Sequence, residues 1–191
     1  MDLPAQPSRT LNELKAGDHL CCLYDTEDAY RAAVMPFLRQ GFERGEKVLY
    51  IVDTHTPQTV KRYLEAEGVD LEPHMARGQF EVVSVYDTYL RSGVFAPEET
   101  LALWREEIAR ARREGYRTLR AAGEMTWTLR GLPGAEQFLE YEDQVSLILP
   151  ESHCLALCLY DRRRFNPITL LEVRSTHPAL LVDTVVYDHL P

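Results

Sequence analysis

No run in this 191-residue chain approaches the roughly 18 consecutive apolar positions that a membrane-crossing helix needs. Residues 1–10 carry neither a basic start nor an apolar stretch, so no secretory leader is read there and a cytoplasmic location is expected. Positive charge is also scarce: 21 Lys and Arg against 30 Asp and Glu leave a net charge of −9. That balance disfavours a nucleic-acid backbone or an anionic membrane surface as partner, and leaves small molecules and other proteins. Cysteine is sparse as well. Cys21, Cys22, Cys154 and Cys158 do not make a secreted disulfide framework, and reduced thiols are expected.

Hydrophobic residues make up 45% and charged residues 27% of the chain, an ordinary globular composition for one domain, with residues 1–15 as an N-terminal tail and 16–191 as the domain. Short apolar runs at 19–24, 48–52, 80–85, 118–122 and 154–160 have the pattern of strands covered on both faces. Helical periodicity separates them. Tyr30, Ala33, Val34, Phe37 and Leu38 line one helix, interrupted by Pro36 and closed by Gly45. Thr56 and Pro57 open a second that stops at Gly68. A third spans 97–114 with Leu101, Trp104, Ile108 and Ala111 inward, and a fourth follows Pro133 with Phe138, Val145 and Leu149 on one stripe. Residues 170–174 suggest a short helix and 184–188 an edge strand. Strand alternating with helix implies a mainly parallel sheet of about five strands in a three-layer α/β/α sandwich.

Ligands of such sheets bind outside the carboxyl ends of the strands. Those ends are polar and aromatic here: Tyr24, Asp53, Tyr86, Glu124 with Trp127, and Tyr160-Asp161-Arg162. Gathered round one crevice they would form an aromatic-walled pocket with carboxylates and a guanidinium, suited to a small organic molecule. One further absence matters. The segment Gly45-Glu46-Lys47-Val48-Leu49-Tyr50-Ile51-Val52-Asp53, followed by Thr56-Pro57, resembles a central strand of a RecA-like ATPase sheet. Yet the first strand runs into Asp25-Thr26-Glu27-Asp28, without the glycines and lysine that grip a triphosphate.

Gly17-Asp18-His19-Leu20-Cys21-Cys22-Leu23-Tyr24, Phe37 to Glu46, Gly123-Glu124-Met125-Thr126-Trp127, Tyr141-Glu142, Cys158-Leu159-Tyr160-Asp161 and Thr176-His177-Pro178 stand in series. Together they resemble the MEDS domain, a sensory domain of methanogens and methylotrophs. The resemblance implies a RecA/KaiC-like fold without ATPase motifs, used in signal transduction and transcription regulation to sense hydrocarbon derivatives. It implies site positions at His19, Cys21, Tyr24, Glu124, Trp127, Glu142, Asp161 and His177, and no cofactor. Since no kinase, receiver or DNA-binding segment is left over in the chain, output is expected through a separate partner such as a histidine kinase or a transcription regulator.

Other readings stand beside this one. Strand alternation puts His19 and Cys21 on one face, where they either meet a ligand or form a buried structural pair. A zinc site from His19, Cys21, Cys154 or Cys158, and His177 would require three distant segments to converge, without a Cys-x2-Cys pair, and no metal is expected. Cys-His nucleophilic catalysis needs an exposed, electropositive thiolate, unlike cysteines in an apolar strand. A residual nucleotide hydrolase would use Asp53 or Glu124, and a pure interaction scaffold would have its pocket filled by side chains. Glu142 lies on the apolar side of its helix, so it requires a partner, Arg120, Arg162 or a backbone N–H, or else contacts a ligand.

Overall fold

The computed structural model describes residues 8–188. In chain order its elements are β1 (Arg9–Thr10), β2 (His19–Tyr24), α1 (Glu27–Glu43), β3 (Lys47–Val52), α2 (Pro57–Ala66), α3 (Glu72–Ala76), β4 (Phe80–Ser84), α4 (Pro97–Arg113), β5 (Leu119–Glu124), α5 (Phe138–Ile148), β6 (Cys154–Asp161), α6 (Pro167–Thr176), β7 (Ala179–Val182) and β8 (Val185–Asp188). One eight-stranded sheet runs in the order β1-β8-β7-β2-β6-β5-β3-β4. The six strands from β7 to β4 are parallel, and β8 and β1 add an antiparallel margin. The α/β sandwich and mainly parallel sheet agree with the sequence reading. Two strands were not foreseen, β1 and β7, and β8, expected as an edge strand at 184–188, lies inside β1 rather than at the edge.

Helix starts are set by local chemistry. The hydroxyls of Thr26 and Thr56 accept from the backbone N–H of Ala29 and Thr59, each at 3.1 Å, and Asn166 caps α6 in the same way at 2.9 Å. Pro57, Pro97 and Pro167 each occupy a first turn, where the missing N–H costs nothing. Pro36 lies within α1, which continues through it.

Two apolar cores flank the sheet. Leu20, Cys22, Val48, Tyr50 and Leu157 face α1 and α2, whereas Cys21, Leu49, Ile51, Ala121 and Tyr160 face the side of α4, α5 and α6. This confirms the alternation expected along β2. Under α1 the helix approaches closely at Gly41, where a Cβ would stand 2.6 Å from Val48 Cγ2 and 2.9 Å from Arg120 Cδ. Arg120 is fully buried on this face, with its Nε 2.5 Å from Glu46 Oε2 and a further bond to Gln40.

Of the N-terminal tail expected at 1–15, residues 1–7 lie outside the described residues. The remainder joins the domain: β1 pairs with β8, and Leu11 and Leu14 are buried. No helix among the described residues is long and apolar enough to cross a membrane.

Candidate ligand cavity and its buried polar floor

The residues expected round one crevice divide between the two faces of the sheet. Glu124 closes β5 on the α1/α2 side. Its Oε2 accepts from the backbone N–H groups of Asp53, Thr54 and His55 at 2.9, 2.6 and 3.1 Å and from the Thr54 hydroxyl at 2.9 Å. Its Oε1 lies 2.7 Å from His55 Nδ1 and 3.2 Å from Tyr50 Oη. Burial alone would raise this carboxyl, but the His55 bond and charge and the backbone donors hold it below its usual range. Burial likewise lowers His55, and Glu124 and Glu27 more than reverse that, so the imidazole ends above its usual value. Every lone pair of Glu124 is engaged in anchoring the loop after β3, which corrects its reading as a ligand contact.

Neighbouring candidates are occupied too. Asp53 pairs with Arg130, whose Nη1 also donates to Tyr86 Oη at 3.0 Å. Tyr24 packs edge-on against Tyr30, Asp161 binds Arg163 at 2.7 Å, and Arg162 lies exposed, 4.0 Å from Asp25. Both oxygens of Glu124 and Oδ1 of Asp53 are thus engaged, while Asp53 Oδ2 is buried without a hydrogen-bond partner.

The other face holds a cavity of about 180 Å³ between the sheet and helices α4 and α5. Its back wall is low because β5 and β6 present Ala121, Gly123 and Ala156 there. Trp104 and Ile108 of α4 and Tyr141 and Val145 of α5 form the sides. Trp104 and Ile108, read as inward-facing, are only half-buried because they border this space. Trp104 Nε1 donates to Tyr141 Oη at 2.6 Å and Tyr89 closes one end, while Arg105, Ile148 and Ser152 stand at the rim. Tyr89 stacks on Trp127 at 5.1 Å, and Phe95 and Phe138 complete an aromatic cage that leaves Trp127 fully buried behind the cavity wall. This cavity opens over the face of β5 and β6, where small residues leave room, and none of the carboxyl-end residues expected round one crevice lines it.

The cavity floor is polar. His19, Glu142 and Cys158 line it, and His177 at the end of α6 closes behind them. Glu142 Oε2 is 3.3 Å from His19 Nε2 and 3.4 Å from His177 Nε2. Cys158 Sγ is 3.5 Å from His19 Nε2 and 3.9 Å from Glu142 Oε2, and Tyr160 Oη is 3.5 Å from Glu142 Oε1. Burial raises Glu142 to about 7, against the smaller pull of His177, Tyr160 and Cys158. Burial also lowers His19 to about 3, so the imidazole is neutral and its contact with Glu142 is no ion pair. The Cys158 thiol is pushed far up by burial and then by the Glu142 charge, which leaves it a poor nucleophile.

Three distant segments thus do converge, contrary to expectation, and the four side chains offer ligand atoms all within 4.8 Å of one another. Cys21 stays outside this group, with its thiol 3.8 Å from Ala179 O. Neither Arg120 nor Arg162 meets Glu142. Arg120 lies on the opposite face and Arg162 in solvent. Sequence reasoning missed Ser146, took Tyr141 only within the motif that resembles the MEDS domain, and offered Cys158 as a site residue only for the zinc alternative. The signals were present in the small residues of β5 and in Ser146 one helical turn after Glu142.

The model of the MEDS family, described as the methanogen/methylotroph, DcmR sensory domain, matches residues 18–178. Among solved structures, a KaiC-like protein from the hyperthermophilic archaeon Pyrococcus horikoshii OT3 is similar at 14% identity and a TM-score of 0.62, over 93% of this chain and 80% of that one. At that identity the likeness shows a shared KaiC-like fold. No curated protein matches.

Proposed function

This chain belongs to the MEDS family of sensory domains, and from that premise we propose that it is a non-catalytic sensor whose cavity between α4 and α5 takes a small, largely apolar organic molecule. The observation that carries the reading is the cavity itself, mostly apolar on its walls with its buried polar groups gathered at the floor. A cavity of about 150 Å³ lined by aliphatic and aromatic side chains is enough to bind benzene, so 180 Å³ suits a ligand of that order. Hydrocarbon derivatives fit: the hydrocarbon part meets Ile108, Val145 and Ala156, and one polar substituent reaches Glu142 or His19. The raised thiol of Cys158 and the engaged carboxylates of Asp53 and Glu124 support sensing over catalysis.

Signal would leave through Tyr89. It touches the cavity and stacks on Trp127, and it belongs to the loop 85–95, so a ligand that favours one position of the ring also favours one arrangement of the loop. A signalling protein, such as a histidine kinase or a transcription regulator, would read that loop.

Thermal unfolding with a panel of small molecules, benzene first, tests the proposal. A ligand at 100 times its Kd stabilises the folded form by about 2.7 kcal/mol and raises Tm accordingly. Ala156→Leu fills the cavity from the sheet side, so the variant should fold and lose the shift. An undiminished shift in Ala156→Leu, or none with any member of the panel, contradicts the proposal.

A further inference from the structure

The hydrogen bonds behind the cavity floor fix the state of both histidines. Ser146 Oγ has one hydrogen, and it donates it to the Thr176 carbonyl at 2.5 Å. At 2.7 Å from His19 Nδ1 the hydroxyl must then accept, so Nδ1 carries the proton and Nε2 a lone pair. His177 Nδ1 lies 2.7 Å from the Val173 carbonyl, which can only accept, so in the neutral ring its Nε2 is a lone pair as well. Two nitrogen lone pairs therefore converge on one carboxylate oxygen, at 3.3 and 3.4 Å. Without a metal, the carboxyl proton can serve one of them and the Cys158 thiol, 3.5 Å from His19 Nε2, can serve that histidine. A cation at the centre serves both, and the thiol besides.

We propose that His19 Nε2, His177 Nε2, Glu142 Oε2 and the Cys158 thiolate form a tetrahedral site for a divalent ion of the zinc class at the inner end of the cavity. The spacing is near what such an ion needs, with all four ligand atoms within 4.8 Å of one another and a small contraction left for binding. Zinc bonds of about 2.0 to 2.1 Å to nitrogen and oxygen and about 2.3 Å to sulfur at tetrahedral angles place N and O about 3.3 Å apart, N and S about 3.6 Å, and O and S about 3.5 Å. The observed separations are 3.3 and 3.4 Å for N to O, 3.5 Å for N to S and 3.9 Å for O to S. The outer contacts are those of a metal site: each histidine gives its other N–H to a fixed oxygen, and Tyr160 Oη stands 3.5 Å from the second carboxylate oxygen. Charge balances too. A dication with one thiolate and one carboxylate is neutral, so the loaded site leaves no net charge in a fully buried position. On binding, the protons of the Cys158 thiol and of any protonated Glu142 pass to solvent. This inference goes beyond the sensor reading and stands without it.

The test uses the full-length protein, stripped with a chelator, dialysed, and titrated with Zn²⁺ and with Co²⁺. One equivalent of each is expected to bind and to raise Tm, and the cobalt form should show the intense visible absorption of tetrahedral Co²⁺ with a thiolate charge-transfer band. Cys158→Ser should abolish that band. Ser146→Ala leaves all four ligands in place and removes only the hydrogen bond that orients His19, so it should weaken Zn²⁺ binding by about 10- to 100-fold. Wild-type protein that takes up less than one equivalent overturns the site, as does a cobalt spectrum without a thiolate band, or Zn²⁺ affinity unchanged in Ser146→Ala. The benzene shift, measured on stripped and loaded protein, reports separately on the cavity, so either claim can fail while the other stands.

Discussion

Two buried polar pairs carry distinct predictions at the scale of single residues. The Glu124 carboxyl is held below its usual 4.5 and the His55 imidazole above its usual 6.5. A lowered carboxyl contributes stability that is present above 4.5 and lost as pH falls through its folded value. A raised imidazole contributes stability that is present below 6.5 and lost as pH rises through its folded value. Both terms are full only between these two reference values, and His55→Gln should cost most there, about 1 kcal/mol because the imidazole retains some exposure. Urea unfolding from pH 4 to 9 checks it, and a cost that grows towards pH 9 would contradict the pairing. Arg120 makes a sterner case. Replacing it with Met strands Glu46 and Gln40 in the interior, and a loss of about 3 to 5 kcal/mol is expected in the same assay. The need for a partner at Glu142 was legible from its place on an apolar helix stripe. Which partners it finds was not, because His19, Cys158 and His177 come from strands and a helix end far apart in sequence, and only the crossovers bring them together.

Strand and helix periods were legible for elements buried on both sides, since six parallel strands must be apolar throughout and their helices amphipathic. The short margin escaped: β1 has two residues and no period, and β7 follows α6 with only His177 and Pro178 between them. The cavity escaped for a different reason. It is a deficit of side-chain volume at Ala121, Gly123 and Ala156, and a strand of small residues reads the same whether the helices above close over it or stand apart. The loop at its end is latched by one backbone bond, from Phe95 N–H to the Pro133 carbonyl at 2.9 Å, beside Gly134 at φ +88°. A Cβ at Gly134 would stand 1.9 Å from Phe95 O, so Gly134→Ala must displace one of the two segments of that latch. A loss of about 1 to 3 kcal/mol is expected by urea unfolding, together with faster amide exchange in residues 85–95. Unchanged stability would mean that the latch does not hold the loop.

For the whole molecule, the chain keeps a KaiC-like sheet while the loop where a phosphate grip would sit reads Asp25-Thr26-Glu27-Asp28. Carboxylates there repel a triphosphate, and a mainly apolar cavity lies on the opposite face, under α4 and α5. The expectation of a site at the carboxyl edge came from the general behaviour of open parallel sheets. Several of the edge residues are engaged with one another instead: Glu124 with the loop after β3, Asp53 and Tyr86 with Arg130, Asp161 with Arg163. Sensing then depends on whether occupancy of the cavity reaches the surface through Tyr89. Amide hydrogen exchange of residues 85–95, measured with and without saturating benzene on wild type and on Ala156→Leu, tests that link most directly. Exchange slowed by about tenfold or more is expected in the wild type, equivalent to about 1.4 kcal/mol of added local stability, and no change in the variant. Equal exchange with and without benzene in the wild type would contradict it.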